Sequence, residues 1–255
     1  MPPAASNAAK ANAPSERDVR IELAGCYRLF DHLGWTELIF NHITAKVPGP
    51  EHHFLINPFG LHYSEVTASN LVKLDLAGNI VGQSNWPYNP AGYPLHSAIH
   101  EARPEVACIA HTHTTAGLAI ACLKDGLARD NFYGAILHGQ VAYHDFEGIT
   151  LYNDEKARIV ASLGEKSCLI LRNHGLVACG RSVAEAFGRL WTMQRACEVQ
   201  LAVMSTGGAV TPVPAAVAER AARDSLNVDN AGAAAARVFQ AMMRQVDARD
   251  TSYRD

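Results

Sequence analysis

Two histidines separated by one residue carry the strongest chemical signal in this sequence. His111 and His113 follow an apolar run at residues 106–110, whose length and composition are typical of a buried strand. In an extended chain, residues i and i+2 project to the same side, roughly 7 Å apart at Cα, so both imidazoles can reach one metal ion. A His-x-His sequence also occurs without a metal, so the spacing alone leaves the question open.

A third ligand is expected from a later turn. His174 lies between a predicted strand at residues 168–171 and Gly175, and strand ends are where open α/β sheets place ligands. Three histidines leave coordination positions free, as a catalytic site requires. A metal ion held by these three residues would therefore be catalytic rather than structural.

Two more histidines, His96 and His100, are four residues apart on a helix that is predicted to begin near Pro94 and to end before Pro104. This spacing places both imidazoles on one face of the helix. Three interpretations stay open: the pair binds a metal, forms a polar face, or makes hydrogen bonds beside the site.

Composition excludes several classes of protein. The 255 residues are 48% hydrophobic, which is enough to bury a sizeable core. A net charge of −3, with no cluster of Lys and Arg, gives no reason to expect a nucleic acid or an anionic membrane as partner. Apolar runs stay below the roughly 18 residues that suggest a membrane span.

Six cysteines are scattered through apolar stretches, and none of them forms a CxxC pair. We interpret them as reduced, buried thiols and expect a cytoplasmic protein.

Short extended runs and amphipathic segments alternate along the chain. Residues 19–33 have helical spacing of apolar side chains, and residues 136–143 are predicted to be extended. Ser182 and Glu185 match a capping box, so a long helix should run from Val183 to about Ser205. Elements mixed in this way, with no internal linker, predict a single α/β domain.

The two ends of the sequence differ in composition from its centre. We expect a disordered segment at residues 1–16, the α/β domain at residues 17–208 and a helical extension at residues 209–255.

Four longer segments are distinctive: HTHTTAG at 111–117, LRNHGLV at 171–177, and the stretches at 89–106 and 35–47. These segments resemble the class II aldolase/adducin family. The resemblance covers about residues 21–208 and extends, through residues 53–73, to the head domain of adducin. It implies a three-layer α/β/α fold with a mostly antiparallel central sheet, assembled as a homotetramer with sites at subunit interfaces.

The resemblance also implies roles for single residues. In the enzymes of the family, a divalent metal is held by three histidines that match His111, His113 and His174. The resemblance therefore implies a divalent metal ion here, with zinc as the first expectation and manganese or iron as alternatives. The sugar-phosphate aldolases add a catalytic glutamate, and the alignment through His96 places Gly92 at that position.

Without that carboxylate, proton transfer needs another group. His96 and Tyr93 are the predicted catalytic residues. Tyr133 is a third candidate, near where family members contribute an aromatic residue to the neighbouring subunit.

The phosphate pocket of those aldolases is also altered. Pro90 and Ala91 replace hydroxyl side chains, and Phe40 and Asn41 stand where the family has Gly-Asn, with the asparagine retained. A phosphorylated substrate is therefore not expected. Asn41, together with Gly92, is predicted to bind the substrate.

These observations favour a metal-dependent lyase. It would cleave a carbon–carbon bond in a small, non-phosphorylated hydroxy- or oxo-acid, by decarboxylation or retro-aldol chemistry. Two alternatives stay open, a non-haem iron oxygenase of a hydroxy acid and a non-enzymatic, adducin-like binding or scaffold domain.

Overall fold

The computed structural model describes residues 14–255, so most of the segment predicted to be disordered, 1–16, lies outside the described residues. The described chain alternates short strands with helices. The strands are β1 His42–Lys46, β2 Phe54–Ile56, β3 Val72–Leu74, β4 Cys108–Thr112, β5 Val141–His144, β6 Cys168–Leu171 and β7 Gly175–Gly180. The α-helices are α1 Glu16–His32, α2 Gly92–Ala102, α3 Thr115–Ala121, α4 Phe132–Ile136, α5 Lys156–Leu163, α6 Val183–Ser205, α7 Ala215–Asp229 and α8 Ala233–Asp247.

The strands form one sheet in the order β3-β2-β1-β4-β7-β6-β5. Neighbouring strands are antiparallel, except that β5 and β6 run parallel. The predicted mostly antiparallel sheet is therefore confirmed, and the single parallel pair makes it a mixed sheet.

Alternating side chains of the strands bury both faces of this sheet. In β4, Cys108 and Ala110 join one core with residues of α1, α3, α6 and α8. Ile109 faces the other way and joins a second core with residues of α2 and α5. Helices thus cover both faces, which confirms the predicted three-layer α/β/α fold.

The long helix α6 begins at Val183 and ends at Ser205, as the capping box predicts. The Ser182 side chain accepts a hydrogen bond from the backbone N–H of Glu185 at 3.2 Å. Two later helices pack on the body, and Phe239 of α8 contacts Phe187 of α6 with ring centroids 5.7 Å apart. The domain boundary at residue 208 stays a prediction.

The predicted extended stretch at 136–143 is wrong in its first half. Helix α4 occupies Phe132–Ile136, because the Asn131 side chain caps it by accepting from the N–H of Gly134. The chain then turns at Gly139, where φ is 75°, and only Val141–His144 is a strand. A side-chain cap and a glycine turn have overridden the apolar pattern.

The cysteines are unpaired across the described residues. Five are buried as expected, but Cys122 is exposed at the end of α3. In this same part of the chain, no helix combines the length and the apolar character needed to cross a membrane.

Candidate metal centre

The candidate ligands meet where three elements of the sheet adjoin. His111 lies on β4, His113 follows one residue beyond the strand, and His174 lies in the turn between β6 and β7. Since β4 and β7 are hydrogen-bonded neighbours, with Thr112 opposite Leu176, this turn lies beside the end of β4. The structure therefore brings together the three histidines that the sequence and the family resemblance indicate as metal ligands.

The three imidazoles form a compact group of possible ligands. One ring nitrogen from each residue lies within 4.8 Å of the other two. Ring centroids are 4.6 Å apart for His111 and His113, 4.9 Å for His111 and His174, and 4.8 Å for His113 and His174. Among the residues described, no carboxylate joins this group.

The hydrogen bonds of His111 fit a metal ligand. Its Nδ1 lies 3.0 Å from the carbonyl oxygen of Leu176; a carbonyl can only accept, so Nδ1 donates and Nε2 carries the lone pair. That Nε2 lies 2.7 Å from Nε2 of His113. This is a hydrogen-bond distance, so Nε2 of His113 donates to Nε2 of His111, and a metal ion that binds both nitrogens would replace this contact.

Burial keeps these imidazoles neutral. It lowers the pKa of His111 well below its ordinary value, and the neighbouring His113 and His174 lower it further. For the same reasons, burial first and His113 second, the pKa of His174 falls to about 4. A neutral imidazole keeps one lone pair at pH 7, so no charged ring has to lose a proton before a metal binds.

The Asn-His-Gly turn fixes the position of His174. Asn173 has a φ of 56°, a left-handed conformation that asparagine tolerates, and the His174 N–H donates to the carbonyl of Leu171 at 3.1 Å. A Cβ at Gly175 would lie 2.3 Å from the carbonyl oxygen of Thr112. Only glycine therefore allows β7 to approach β4 so closely beside the imidazoles.

Sequence reasoning missed a fourth histidine of the site. His42 begins β1 and lies directly opposite His111 in the antiparallel pair, so both side chains project from the same face. Their ring centroids are 4.9 Å apart. The sequence held a signal, since polar His42 and Thr44 alternate with apolar Ile43 as in a half-buried strand, but nothing in it gives the register with His111.

His96 and His100 lie behind His42 and outside the group of candidate ligands. Nδ1 of His42 is 2.8 Å from Nε2 of His96, and the Thr44 hydroxyl lies between His96 and His100, 2.5 Å and 2.8 Å from their ring nitrogens. Of the three interpretations left open, hydrogen bonding beside the site describes this pair, through Thr44. Burial lowers the pKa of His96 well below its ordinary value.

A cavity of about 530 Å³ opens beside the three histidines and His42. Its other walls are mostly apolar, and none of the lining residues is a lysine or an arginine. They are Phe40, Phe59, Asn89, Pro90, Ala91, Leu95, Phe146, Gly148, Ile149, Thr150 and Leu151. The cavity has the size and lining of a small-molecule site.

The predicted substrate residues take different places. Asn41 uses both ends of its amide on the backbone: Nδ2 donates to the Trp35 carbonyl and Oδ1 accepts from the His113 N–H, each at 3.1 Å. It therefore holds the segment that carries His113. Gly92 begins α2 against the ring of His42, whose Cδ2 would lie 2.8 Å from a Cβ at that position.

The two predicted tyrosines do not line the cavity. The Tyr93 hydroxyl donates to the carbonyl of Leu76 at 2.9 Å and accepts from Lys156 at 3.0 Å. Tyr133 packs edge-on against Trp191, with ring centroids 5.6 Å apart.

Comparison with known proteins identifies the family of this chain. A family model described as Class II Aldolase and Adducin N-terminal domain matches residues 21–201. The chain belongs to the class II aldolase and adducin family. Enzymes of this family are typically lyases that depend on a divalent metal, and the three histidines form a group that can hold such an ion.

Individual relatives of this class II aldolase and adducin family member cover most of its length. An aldolase II superfamily protein from Pseudomonas syringae is 44% identical, with a TM-score of 0.90 over 95% of this chain and 97% of that one. L-fuculose 1-phosphate aldolase from Glaciozyma antarctica is 28% identical, with a TM-score of 0.82 over 100% of this chain and 97% of that one. Alpha-adducin of Rattus norvegicus is 50% identical over 76% of this chain, which corresponds to 26% of the adducin.

Proposed function

We propose that this family member is a divalent-metal-dependent lyase. It cleaves a carbon–carbon bond in a small, non-phosphorylated hydroxy- or oxo-acid, by decarboxylation or retro-aldol chemistry. One observation carries the proposal: three neutral imidazoles converge at the wall of a mostly apolar cavity, with a fourth, His42, beside them.

His111, His113 and His174 would hold the ion, with zinc as the first choice and manganese or iron as alternatives. When bound, it supplies Lewis acidity toward a hydroxyl or carbonyl oxygen next to the bond that breaks. The chain prepares the site by fixing the His111 tautomer on the Leu176 carbonyl and by holding the His113 backbone on Asn41.

His42 is the proposed proton-transfer residue, in place of the family's glutamate. It lines the cavity, and its ring occupies the space next to Gly92. His96 is buried behind it and reaches the cavity only through His42, so its part is to position that ring. Tyr93 is less suited to proton transfer, because its hydroxyl is already bound by Leu76 and Lys156.

The cavity walls support the substrate class. A phosphorylated sugar brings two negative charges, and burying them without a cationic side chain is costly. No lysine or arginine is among the lining residues. Small acids whose carboxylate or hydroxyl oxygens reach the ion fit the site better.

Assembly as a homotetramer with interface sites, in the cytoplasm, is part of the proposal. Phe146, Ile149 and Tyr152 are 55%, 70% and 70% exposed on the loop beside the cavity, and Phe132 is 72% exposed next to Tyr133. Apolar side chains this exposed favour burial against another subunit. A neighbour's Tyr133 would then be able to reach the site.

Steady-state assays on the full chain test the function. The protein loaded with zinc, manganese or iron is offered a panel of hydroxy- and oxo-acids together with their phosphorylated counterparts, and carbonyl products and carbon dioxide are measured. We expect turnover of a non-phosphorylated acid that a chelator stops and added metal restores.

The same panel of acids distinguishes the proposed lyase from an oxygenase and from a binding or scaffold domain. Oxygen consumption that matches product formation would indicate an oxygenase instead. The absence of a carboxylate from the group of candidate ligands, among the described residues, argues against the common two-His-one-carboxylate iron site. No turnover with any acid or metal would favour a binding or scaffold role.

A further inference from the structure

Four buried side chains form one hydrogen-bonded chain that runs from the cavity wall to a backbone carbonyl behind it. Nδ1 of His100 lies 3.4 Å from the carbonyl oxygen of Val106, and Nε2 of His100 lies 2.8 Å from the Thr44 hydroxyl. That hydroxyl is 2.5 Å from Nδ1 of His96, and Nε2 of His96 is 2.8 Å from Nδ1 of His42. All four side chains are buried.

The carbonyl at one end sets the direction of the first two bonds. A carbonyl oxygen only accepts, so Nδ1 of His100 must carry the proton. Burial, reinforced by the nearby Lys46, lowers the pKa of His100 to about 3, so the ring is neutral and its Nε2 accepts. The Thr44 hydroxyl has one proton and donates it there.

The remaining bonds follow from that donation. Having used its proton, the Thr44 oxygen accepts from Nδ1–H of His96. The neutral His96 ring then has an unprotonated Nε2, which accepts from Nδ1–H of His42. His42 donates this proton from Nδ1, so Nε2 of the neutral ring is left with a lone pair.

We propose that Thr44 and His100, acting through His96, are positioning residues that fix His42 as its Nδ1–H tautomer, with the unprotonated Nε2 facing the cavity. Nε2 of His42 has no hydrogen-bond partner on another described residue, and the ring lines the cavity. This deepens the proposed lyase function, which rests on His42 as proton acceptor, but the tautomer exists whether or not a reaction occurs.

Nitrogen NMR of the full chain tests the tautomer directly. The zinc-loaded protein is labelled with ¹⁵N in its histidine rings, and the His42 signals are identified by their loss in His42→Gln. We expect a protonated resonance at Nδ1 and an unprotonated one at Nε2. A protonated Nε2 on His42 would overturn the proposal without any further variant.

Variants of Thr44 test whether the hydrogen-bonded chain fixes the tautomer of His42. Thr44→Val keeps the shape but removes the hydroxyl, so we expect His42 to populate both tautomers. We expect kcat to fall about tenfold, which is less than the ~10²–10⁴ that acid–base catalysis supplies in full. Thr44→Ser restores the hydroxyl and should restore the single tautomer. Ser97→Ala is the matched control, because it removes a buried hydroxyl of α2 that bonds the Pro94 carbonyl.

Each result decides one question. A single Nδ1–H tautomer that persists in folded Thr44→Val would overturn the role of the chain. Failure of the proposed function is distinguishable: the wild-type tautomer would be as predicted, while no acid on the panel is turned over.

Discussion

The imidazole of His42 fills the space that a side chain at residue 92 would need. A Cβ on Gly92 would lie 2.8 Å from Cδ2 and 3.0 Å from Nε2 of His42, closer than atoms can approach without a shift. The glycine at the start of α2 and the histidine at the start of β1 are therefore a matched pair. The residue that lacks a carboxylate also makes room for an imidazole.

Replacement of His42 tests its role in proton transfer. His42→Gln removes the basic ring nitrogen and leaves His111, His113 and His174 in place, so we expect normal metal content and a fall in kcat of about 10²–10⁴. Elemental analysis and steady-state kinetics on the same sample measure both. Loss of the metal in this variant would show that His42 is a ligand instead, and unchanged kcat would remove it from the reaction.

A methyl group at residue 92 should displace that ring without touching a candidate ligand. We expect Gly92→Ala to fold, since alanine suits a helix, and to lower kcat because His42 must move. Gly188→Ala is the control: it also adds a methyl within a helix, where the nearest side-chain atom, on Ala235, lies at an ordinary 3.5 Å. Equal activity of the two variants would contradict the pairing of Gly92 with His42.

The close approach of β7 to β4 makes a separate prediction. A methyl at Gly175 meets the Thr112 carbonyl oxygen at 2.3 Å and His113 Cδ2 at 3.1 Å. Gly175→Ala should therefore cost about 1–3 kcal/mol of unfolding free energy, as overpacking does, and weaken metal binding. Urea unfolding and metal titration measure the two effects. An unchanged urea midpoint together with unchanged metal affinity would show that residue 175 does not require glycine.

Acid should destabilise the chain through His100. Its pKa is about 3 when folded against 6.5 as the reference value, so between these values the unfolded chain binds more protons and unfolding becomes easier as the pH falls. Above pH 6.5, His100 contributes fully to the free energy of unfolding. By pH 5, about 2 kcal/mol of that contribution is lost.

Urea unfolding between pH 7 and pH 5 measures this slope. His100→Leu should reduce the dependence of the unfolding free energy on pH by up to one proton. His52→Asn controls for the loss of one imidazole. Its residue is exposed, and asparagine tolerates the positive φ there. An identical slope in wild type and His100→Leu would contradict the prediction.

Much of the fold follows from local pattern. Helix α6 has the predicted ends because the Ser182 side chain caps its start and Gly207, with a φ of 64°, follows its end. His111 and His113 project to the same side because a strand has a period of two. Local pattern failed at residues 136–143, where the Asn131 cap and the Gly139 turn decide the structure.

The rest of the site depends on register between distant segments. The pairing of His42 with His111 and the contact of His42 with Gly92 join elements that are far apart in sequence, and no local spacing predicts which face meets which. The role of Asn41 could not be predicted for the same reason, because its amide accepts a hydrogen bond from the backbone of His113, which is distant in sequence. The strand-end position and the family resemblance both indicated His174 as a ligand, but the resemblance showed Gly92 only as the loss of a carboxylate.

Metal content tests the central claim most directly. The purified chain, loaded with zinc and dialysed, is compared by elemental analysis with His111→Ala/His113→Ala, with His174→Ala and with His144→Ala, a buried histidine that bonds Ser162 and Glu155 away from the candidate ligands. We predict one ion per chain in the wild type and in His144→Ala, and little or none in the other two. Equal metal in all four proteins would contradict the account.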